Sequence, residues 1–344
     1  MKIAVLSLAH THALEYIAAL QRHPEAELVA TDPDGAESPA ELRGAPLALT
    51  LGVDYLESYE DVWAWHPDAV VVCAENVRHH DLVLRAAREG VHVLCEKPLA
   101  TTVQDAAAIV DAADRAGIVL MTALPVRFSS AYEELRAGVR RGDLGEIVSV
   151  SAANCGSIPT VRAWFTDKVL SGGGAVTDHV VHVADLLADL LQETPDDVYA
   201  VANGIPGNRD GGVEIAGLVE TAGLVSLHYP SGVIAAVDCS WSRPAGSADV
   251  GDLVTLTVIG TSGVAEIAPF ASIIEGWNEH GALTYGYGLS LDQRLIDSFV
   301  AAVAQHDRTA QPDGRAGLAG VMLIDAAYRS IDAGGPVRLR AVAA

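Results

Sequence analysis

Three polar side chains in this 344-residue sequence have the types and the spacing that acid–base chemistry requires. Lys97 lies in the segment Glu96-Lys97-Pro98, directly after the apolar run Val91–Cys95. Asp178 and His182 are four residues apart in a helical pattern, so their side chains share one face of that helix. Lysine can donate or accept a proton when burial lowers its pKa, and a carboxylate beside an imidazole fixes the tautomer and raises the basicity of the imidazole. We therefore expect Lys97, Asp178 and His182 to be catalytic.

The scarcity of lysine in this chain supports a special role for Lys97. The only other lysines are Lys2 and Lys168. A lysine between two strand-like segments is therefore poorly explained as ordinary surface. The plain structural alternative is a turn lysine that pairs with Glu96.

Alternating strand and helix patterns in the first third of the chain position Lys97. The continuous apolar strands predict a parallel sheet covered on both faces, and right-handed crossovers then give a doubly wound Rossmann fold. Ligands of such a fold lie at the carboxyl ends of the strands, which is where Lys97 stands. The predicted strands are Ile3–Leu8, Glu27–Thr31, Ala69–Ala74, Val91–Cys95 and Ile118–Thr122, and the predicted helices are Ala13–Gln21, Tyr59–Trp65, His80–Glu89 and Val103–Ala116.

After about residue 123 the pattern changes to alternating strands joined by turns rich in glycine, proline and serine. We expect two domains, a dinucleotide-binding domain over residues 1–122 and an α+β domain with a large, mainly antiparallel sheet over residues 123–344. The second domain is predicted to contain the strands Ile147–Ala153, Val198–Asn203, Ala216–Thr221, Leu224–Tyr229, Val233–Ser240, Val254–Gly260 and Gly263–Ile267, and the helices Leu135–Arg141, Ala175–Leu191, Asp292–Gln305 and Arg315–Ala333.

The segment Ser7–Ala13 stands where a Rossmann fold binds the pyrophosphate of a dinucleotide, between the first strand and the first helix. The usual G-x-G-x-x-G pattern is absent, because this segment contains no glycine. Ser7, Ala9 and Ala13 are the small residues that replace it. We predict a cofactor turn here from its position after the first strand.

Two histidine pairs invite a metal interpretation. His10 and His12 lie in the cofactor turn, and His179 and His182 lie on the helix that carries Asp178. Neither pair has an obvious third ligand in the sequence, and structural and catalytic zinc sites need at least three protein ligands. We therefore expect no metal, and we expect His10 and His12 to face the pyrophosphate or to close over the cofactor.

Asp32 ends the second predicted strand, about 20 residues after the cofactor turn, where an acid binds the adenosine ribose hydroxyls. A carboxylate there repels a 2′-phosphate, and no arginine follows until Arg43. This favours NAD over NADP. The alternative is that Asp32-Pro33-Asp34 is only a polar turn.

Composition excludes several classes of partner. With 22 Lys+Arg against 45 Asp+Glu the formal net charge is −23, which repels nucleic acid and anionic membranes. The acids are spread along the chain, as in a solvated acidic surface. No apolar run approaches the length of a membrane helix, and the N-terminus enters a strand pattern without a secretory signal. Four scattered cysteines, Cys73, Cys95, Cys155 and Cys239, are typical of reduced thiols in a cytoplasmic protein.

Together these motifs resemble the glucose–fructose oxidoreductase, inositol dehydrogenase and rhizopine catabolism family (Gfo/Idh/MocA), over essentially the whole chain. The matching segments are Glu96-Lys97-Pro98, the glycine-led helix from Asp178 to His182, the loop Ala74-Glu75-Asn76-Val77-Arg78-His79, and Arg127-Phe128 before Tyr132. The chain departs from the family pattern in the missing glycines and in Glu75, where proline is common.

The resemblance implies a Rossmann domain that carries NAD(H) or NADP(H) and an open-faced sheet domain that often mediates oligomerisation, here into a homodimer or homotetramer. It implies hydride transfer between the nicotinamide and a carbon of a sugar or polyol. His182 would be the general base, Lys97 would stabilise the substrate oxygen, and Asp178 would orient the site. The implied cofactor contacts are Ser7, Ala9, His10, His12, Asp32, Ala74, Asn76, His79, Glu96 and Lys97, and the implied substrate contacts are Lys97, Arg127, Arg162, Trp164, Asp178, His179 and His182.

Two other functions stay open at this point. Some relatives oxidise a sugar transiently so that a neighbouring bond can be eliminated, and these lyases or glycosidases recycle their NAD. Others have lost catalysis and only bind sugars, an alternative that the degenerate turn raises and that the joint presence of Lys97, Asp178 and His182 opposes.

Overall fold

The computed structural model describes residues 1–38, 40–203, 219–243, 253–270, 273–278, 281–286 and 290–339. A parallel sheet of six strands in the order β3-β2-β1-β4-β5-β6 forms the first part of the chain. Its strands are β1 (Lys2–Leu6), β2 (Glu27–Thr31), β3 (Asp54–Tyr55), β4 (Ala69–Val72), β5 (His92–Cys95) and β6 (Leu120–Thr122). The connecting helices are α1 (His12–Leu20), α2 (Gly44–Leu51), α3 (Tyr59–Trp65), α4 (His79–Glu89) and α5 (Val103–Ala116).

Burial explains why this sheet is parallel and central. Every residue of β4 is buried, as are the last four residues of β1 and the last three of β5. Strands that are apolar on both faces need helices on both sides, and the β-α-β crossovers provide them. The carboxyl ends of β1, β4 and β5 therefore meet at one edge, where Ser7, Cys73 and Glu96 follow the three strands.

A seven-stranded sheet in the order β12-β11-β7-β10-β9-β8-β15 dominates the second part. All of its neighbouring strands are antiparallel except β7 and β10, which run parallel. The strands are β7 (Ile147–Cys155), β8 (Asp197–Asn203), β9 (Ala222–His228), β10 (Ile234–Ser240), β11 (Leu253–Gly260), β12 (Val264–Ile267) and β15 (Val337–Arg338). A separate hairpin pairs β13 (Ile273–Asn278) with β14 (Gly281–Gly286). This architecture confirms the predicted fold class.

Helices cover one face of the seven-stranded sheet. The helices of the second part of the chain are α6 (Ser130–Arg141), the short α7 (Lys168–Ser171), α8 (Ala175–Leu191), α9 (Leu291–Gln305) and α10 (Gly314–Ala333). Val180, Leu187 and Leu323 share one apolar cluster with Val225 and Val237 of the sheet, so α8 and α10 form the covering layer. The helix that carries Asp178 and His182 is thus fixed by the core.

The last third of the chain returns to the Rossmann unit. Leu295, Ile296 and Phe299 of α9 are fully buried in the cluster that contains Ile3 and Ile17. The contact packs α9 against the core of the Rossmann unit. None of the helices in the described ranges is long and apolar enough to cross a bilayer.

Several predicted elements need correction. The first strand ends at Leu6 and not at Leu8, because Ser7 has a φ of 69° and turns the chain. The predicted strand Ala216–Thr221 is not seen where it is described, over residues 219–221, and its first three residues lie outside the described ranges. The elements α2, β3, α7, β15 and the β13–β14 hairpin were not predicted.

Candidate active site

Lys97 and Asp178 form a buried ion pair between the two halves of the chain. Lys97 Nζ donates to Asp178 Oδ1 at 2.6 Å and to the Asp178 carbonyl oxygen at 3.2 Å. Lys97 follows β5 of the Rossmann sheet, and Asp178 lies in the first turn of α8. The structure therefore brings together two residues that are 81 positions apart in sequence.

Two further side chains hold the other oxygen of Asp178. Trp241 Nε1 donates to Oδ2 at 3.0 Å, and His179 Nε2 lies 3.3 Å from the same atom. Burial opposes ionisation of Asp178, but Lys97 and then His179 outweigh it and lower the pKa of the carboxyl. Asp178 is therefore a carboxylate with fixed orientation, and it fixes the ammonium of Lys97 in turn. No motif in the sequence pointed to Trp241.

His182 lies one helical turn beyond Asp178 and is neutral. Burial first, and then the positive charge of Lys97, lower the pKa of its imidazole well below the usual 6.5. Its Nδ1 atom has no hydrogen-bond partner within the described part of the chain. A neutral imidazole close to a fixed ammonium can accept a proton from a hydroxyl whose oxygen the ammonium stabilises.

The carboxylate of Glu220, which is distant in sequence, holds the start of α8. Glu220 Oε1 accepts hydrogen bonds from the backbone N–H groups of Gly174 and Val176, each at 3.0 Å, and from the Tyr328 hydroxyl at 2.7 Å. The N-cap residue Gly174 has no side chain of its own, so Glu220 satisfies donors at this helix end. Nothing in the sequence identified Glu220 as the partner of this helix end.

A narrow cavity lies beside the ion pair. Asn76, Phe165, Ser171 and Thr177 are among its lining residues, together with Lys97, Asp178 and Trp241. Asn76 Nδ2 donates to the Ser171 carbonyl at 2.8 Å, and its Oδ1 has no partner within the described ranges. The cavity therefore places an unpaired amide oxygen beside the Lys97–Asp178 ion pair.

The turn after β1 is tight and buried without any glycine. Ser7 takes the positive φ that glycine usually supplies, and Ser7 and Ala9 are fully buried. His10 Nδ1 accepts the backbone N–H of His12 at 3.2 Å, and burial lowers the pKa of His10 to about 3. The proton of this neutral ring is therefore on Nε2, which is buried and has no partner among the described residues. An unpaired buried donor at the start of α1 fits the pyrophosphate of a dinucleotide.

Glu96 is the partner of His10 and His12, and the sequence did not reveal this pairing. His12 Nδ1 lies 2.9 Å and His10 Nδ1 3.7 Å from Glu96 Oε1, and the Tyr16 hydroxyl donates to the same oxygen at 2.6 Å. Burial opposes ionisation, but the imidazoles and Lys97 lower the pKa of Glu96. One ligand-type atom each from His10, His12 and Glu96 lies within 4.8 Å of the others, so Glu96 is the third ligand-type side chain that was not obvious in the sequence.

Asp32 is not free to meet a ribose. Arg43 Nε and Nη2 donate to its two oxygens at 3.0 and 2.8 Å, the Ser7 hydroxyl donates to Oδ1 at 2.9 Å, and the Gly44 N–H donates to Oδ2 at 3.0 Å. Burial opposes ionisation, but Arg43 and then Ser7 lower the pKa of Asp32. Arg43 was expected to be too far from Asp32 in sequence to contact it, and this is wrong because the loop between the two residues folds back.

Three predicted substrate contacts are engaged elsewhere. Arg127 is ion-paired with Asp185 on α8, with Nε 2.9 Å from Oδ2. Arg162 Nε and Trp164 Nε1 each donate to the Ala9 carbonyl at 3.1 Å, so both lie on the cofactor turn. The remaining members of the predicted site are close to Lys97 or the turn: His79 Nδ1 lies 2.9 Å from the Pro98 carbonyl oxygen and His79 Nε2 lies 3.1 Å from that of Ala74.

Comparisons with known proteins identify the family of both parts of the chain. Residues 3–124 match the model of an oxidoreductase family with an NAD-binding Rossmann fold, and residues 132–266 match the GFO/IDH/MocA C-terminal domain. The chain is 33% identical to D-xylose 1-dehydrogenase (NADP(+)) 2 of Haloferax volcanii over 71% of this chain and 70% of that protein. It is 31% identical to 1,5-anhydro-D-fructose reductase of Ensifer adhaerens over 66% of both chains, just under two thirds of that relative's length.

A longer match and a solved structure extend the comparison. Inositol 2-dehydrogenase of Rhizobium meliloti is 28% identical over 91% of this chain and 92% of that protein. The crystal structure of GenD2 from gentamicin A biosynthesis, in complex with NAD, has a TM-score of 0.84 at 24% identity and covers 99% of this chain and 97% of its own. At that identity the structural match supports the shared fold.

Proposed function

The chain belongs to the Gfo/Idh/MocA family of oxidoreductases, and from this premise we propose that it transfers a hydride between a nicotinamide cofactor and a hydroxyl-bearing carbon of a sugar or polyol. The relatives of this chain include dehydrogenases and reductases that are named for sugar and polyol substrates. The observation that carries the proposal is the buried Lys97–Asp178 pair beside a neutral His182.

In the proposed mechanism His182 takes the proton of the substrate hydroxyl. Lys97 donates a hydrogen bond to the same oxygen and stabilises the negative charge that develops there, an effect strengthened by the low polarity of the buried site. Asp178 and Trp241 keep the Lys97 ammonium in place, so the site does not reorganise during the reaction. In the reverse direction His182 returns the proton.

The residues at the strand ends fit a dinucleotide. The bound nicotinamide would accept or supply the hydride. Ser7, Ala9, His10 and His12 would surround the pyrophosphate, where the unpaired Nε2 donor of His10 lies. The nicotinamide end would meet the residues after β4 and β5, namely Ala74, Asn76, His79, Glu96 and Lys97.

We propose NAD as the preferred form of the cofactor and no metal requirement. The Asp32 carboxylate, held by Arg43, Ser7 and Gly44, lies at the adenosine end of the site, where its negative charge disfavours a 2′-phosphate. Glu96 is already held by Tyr16, by His12 and by the Lys97 backbone N–H at 3.0 Å, so its charge is compensated without a cation.

The four cysteines support a cytoplasmic, reduced protein. Cys73, Cys95, Cys155 and Cys239 are all free and buried. A chain with four thiols and no disulfide is typical of a reducing compartment.

We also propose a small-molecule sugar or polyol as the substrate, a second copy of this chain as the partner, and neither nucleic acid nor membrane.

The purified protein should be tested with NAD and a panel of aldoses and polyols, with NADH absorbance as the readout. We expect Lys97→Ala and His182→Ala to lower kcat/KM by roughly 10²–10⁴-fold each. Lys168→Ala is the matched control, since this exposed lysine lies outside the cavity and should leave the rate unchanged. Conversion of a substrate without net NADH would favour a lyase or glycosidase that recycles NAD, and a wild-type protein that binds no dinucleotide would contradict the proposal.

A further inference from the structure

The buried pair of Asp32 and Arg43 occupies the adenosine end of the proposed cofactor site. All three nitrogens of the Arg43 guanidinium donate to carboxylates: Nε and Nη2 to Asp32, and Nη1 to Glu75 Oε1 at 2.8 Å. The Arg43 side chain is 2% exposed and the Asp32 carboxylate is fully buried. The ion pair thus fills the position at which a Rossmann fold reads the 2′ substituent of the ribose.

The loop after β2 is built around this pair. A Cβ atom at Gly35 would lie 2.7 Å from Asp32 Oδ2 and 3.2 Å from Arg43 Cβ, so only glycine lets the backbone approach so closely. Gly44, with a φ of +61°, directs its N–H to Asp32 Oδ2. Because Ser7 and Gly44 hold Asp32 independently of Arg43, the carboxylate keeps its position when the arginine moves.

Arginine and aspartate have opposite preferences at this position. A carboxylate accepts hydrogen bonds from the two ribose hydroxyls of NAD, whereas a guanidinium binds the 2′-phosphate of NADP through paired N–H groups. In this chain the carboxylate holds the guanidinium by those same N–H groups. A phosphate would have to break a buried bidentate pair and then lie beside Asp32 and Glu75.

We propose that Asp32 sets the cofactor preference by sequestering Arg43, and that Arg43 is a latent ligand for the 2′-phosphate of NADP. The inference rests on the proposed function, because it requires a dinucleotide at this site. Removal of the Asp32 carboxylate frees Nε of Arg43 and leaves Nη2 with only its 3.3 Å contact to the Ser7 hydroxyl, while Glu75 retains Nη1 and keeps the side chain in the site.

The test compares the dissociation constants of NAD and NADP by calorimetry at one fixed ionic strength. We expect Asp32→Ser to move the ratio of NADP to NAD affinity toward NADP by about tenfold or more, the scale of one added charge-assisted contact. Asp32→Asn, which keeps the shape of the side chain and the Ser7 contact, should move the ratio in the same direction. Asp34→Ser is the matched control, since Asp34 is an acid of the same loop that pairs with Arg78 at 3.1 Å.

A second substitution, Arg43→Leu, tests whether Arg43 is the residue that binds the 2′-phosphate. In the Asp32→Ser background it should remove the gained NADP affinity and leave NAD binding near the level of the single variant. An unchanged ratio in both Asp32 variants, or a gain that survives Arg43→Leu, would overturn the inference while the wild type still binds NAD. A wild type that binds neither dinucleotide would overturn the proposed function as well.

Discussion

Burial, and then the charge of Lys97, set the protonation of His182. A general base must be neutral, so activity in the oxidative direction falls as pH falls through the pKa of His182. Burial and Lys97 hold that pKa well below 6.5, so His182 should remain neutral across the whole physiological range.

Nuclear magnetic resonance titration of the histidine ring protons checks this expectation. We expect no titration of His182 near pH 6.5 in the wild type, and an upward shift of its pKa in Lys97→Met, because that variant removes a positive charge that disfavours the imidazolium. Lys168→Met is the control with the same change of charge at an exposed position. A wild-type His182 that titrates near 6.5, or a pKa that ignores Lys97→Met, would show that the two side chains are not coupled.

Sequence spacing could predict residues whose partners are close in sequence or follow a strand. Asp178 and His182 share a helix, and Lys97 follows β5, so the pattern located all three, and the contact between Lys97 and Asp178 is present. Their catalytic roles remain predictions. Arg43 and Trp241 could not be found this way, because their contacts depend on the path of a loop and on the order of strands in a second sheet.

At the element scale, α8 depends on a carboxylate from outside the helix. Glu220 accepts two backbone N–H groups at the start of α8 and the Tyr328 hydroxyl, and hydrogen bonds to charged groups contribute about 1.5–3 kcal/mol each. We expect Glu220→Ala to lower the free energy of unfolding by about 2 kcal/mol or more and Tyr328→Phe by about 1 kcal/mol. Chemical denaturation measures both.

The matched control for Glu220→Ala is Glu25→Ala, which removes an exposed carboxylate and should leave stability unchanged. The Glu220 variant should also lower kcat, because α8 carries Asp178 and His182. Stability and kcat that both equal those of the Glu25 variant would mean that solvent can satisfy the helix end.

Helices and strands with one dominant sequence signal could be predicted, and those without such a signal could not. Helix Tyr59–Trp65 was predicted with its observed bounds, because Ser58 caps it and its N-terminal turn is acidic. The Rossmann strands β1, β2, β4, β5 and β6 contain or continue short apolar runs, and these runs predicted them. By contrast β3 and β15 have two residues each, and they exist only because a longer neighbour offers free backbone groups. Such strands have no periodicity to detect.

The face of the seven-stranded sheet opposite α8 and α10 carries exposed apolar side chains. One face is covered by α8 and α10, while Tyr199, Val201, Leu224 and Ile234 on the other face are between 42% and 54% exposed. Val201 and Leu224 are direct neighbours across β8 and β9. Exposed apolar neighbours on a sheet are typical of a protein interface.

A second copy of this chain is the occupant that we expect on this face. Two chains with a net charge of −23 repel each other, so a contact between them requires a patch poor in charge. Leu224 lies opposite Asp238 in the sheet, so Leu224→Glu would place two carboxylates side by side within the interface.

We expect the wild type to sediment as a dimer or tetramer and Leu224→Glu as a monomer, in sedimentation velocity at physiological salt. Leu49→Glu, at an 82% exposed leucine of α2, introduces the same charge elsewhere and should keep the assembly intact. A monomeric wild type, or a Leu224→Glu variant that sediments like the wild type, would show that this face does not join copies of the chain.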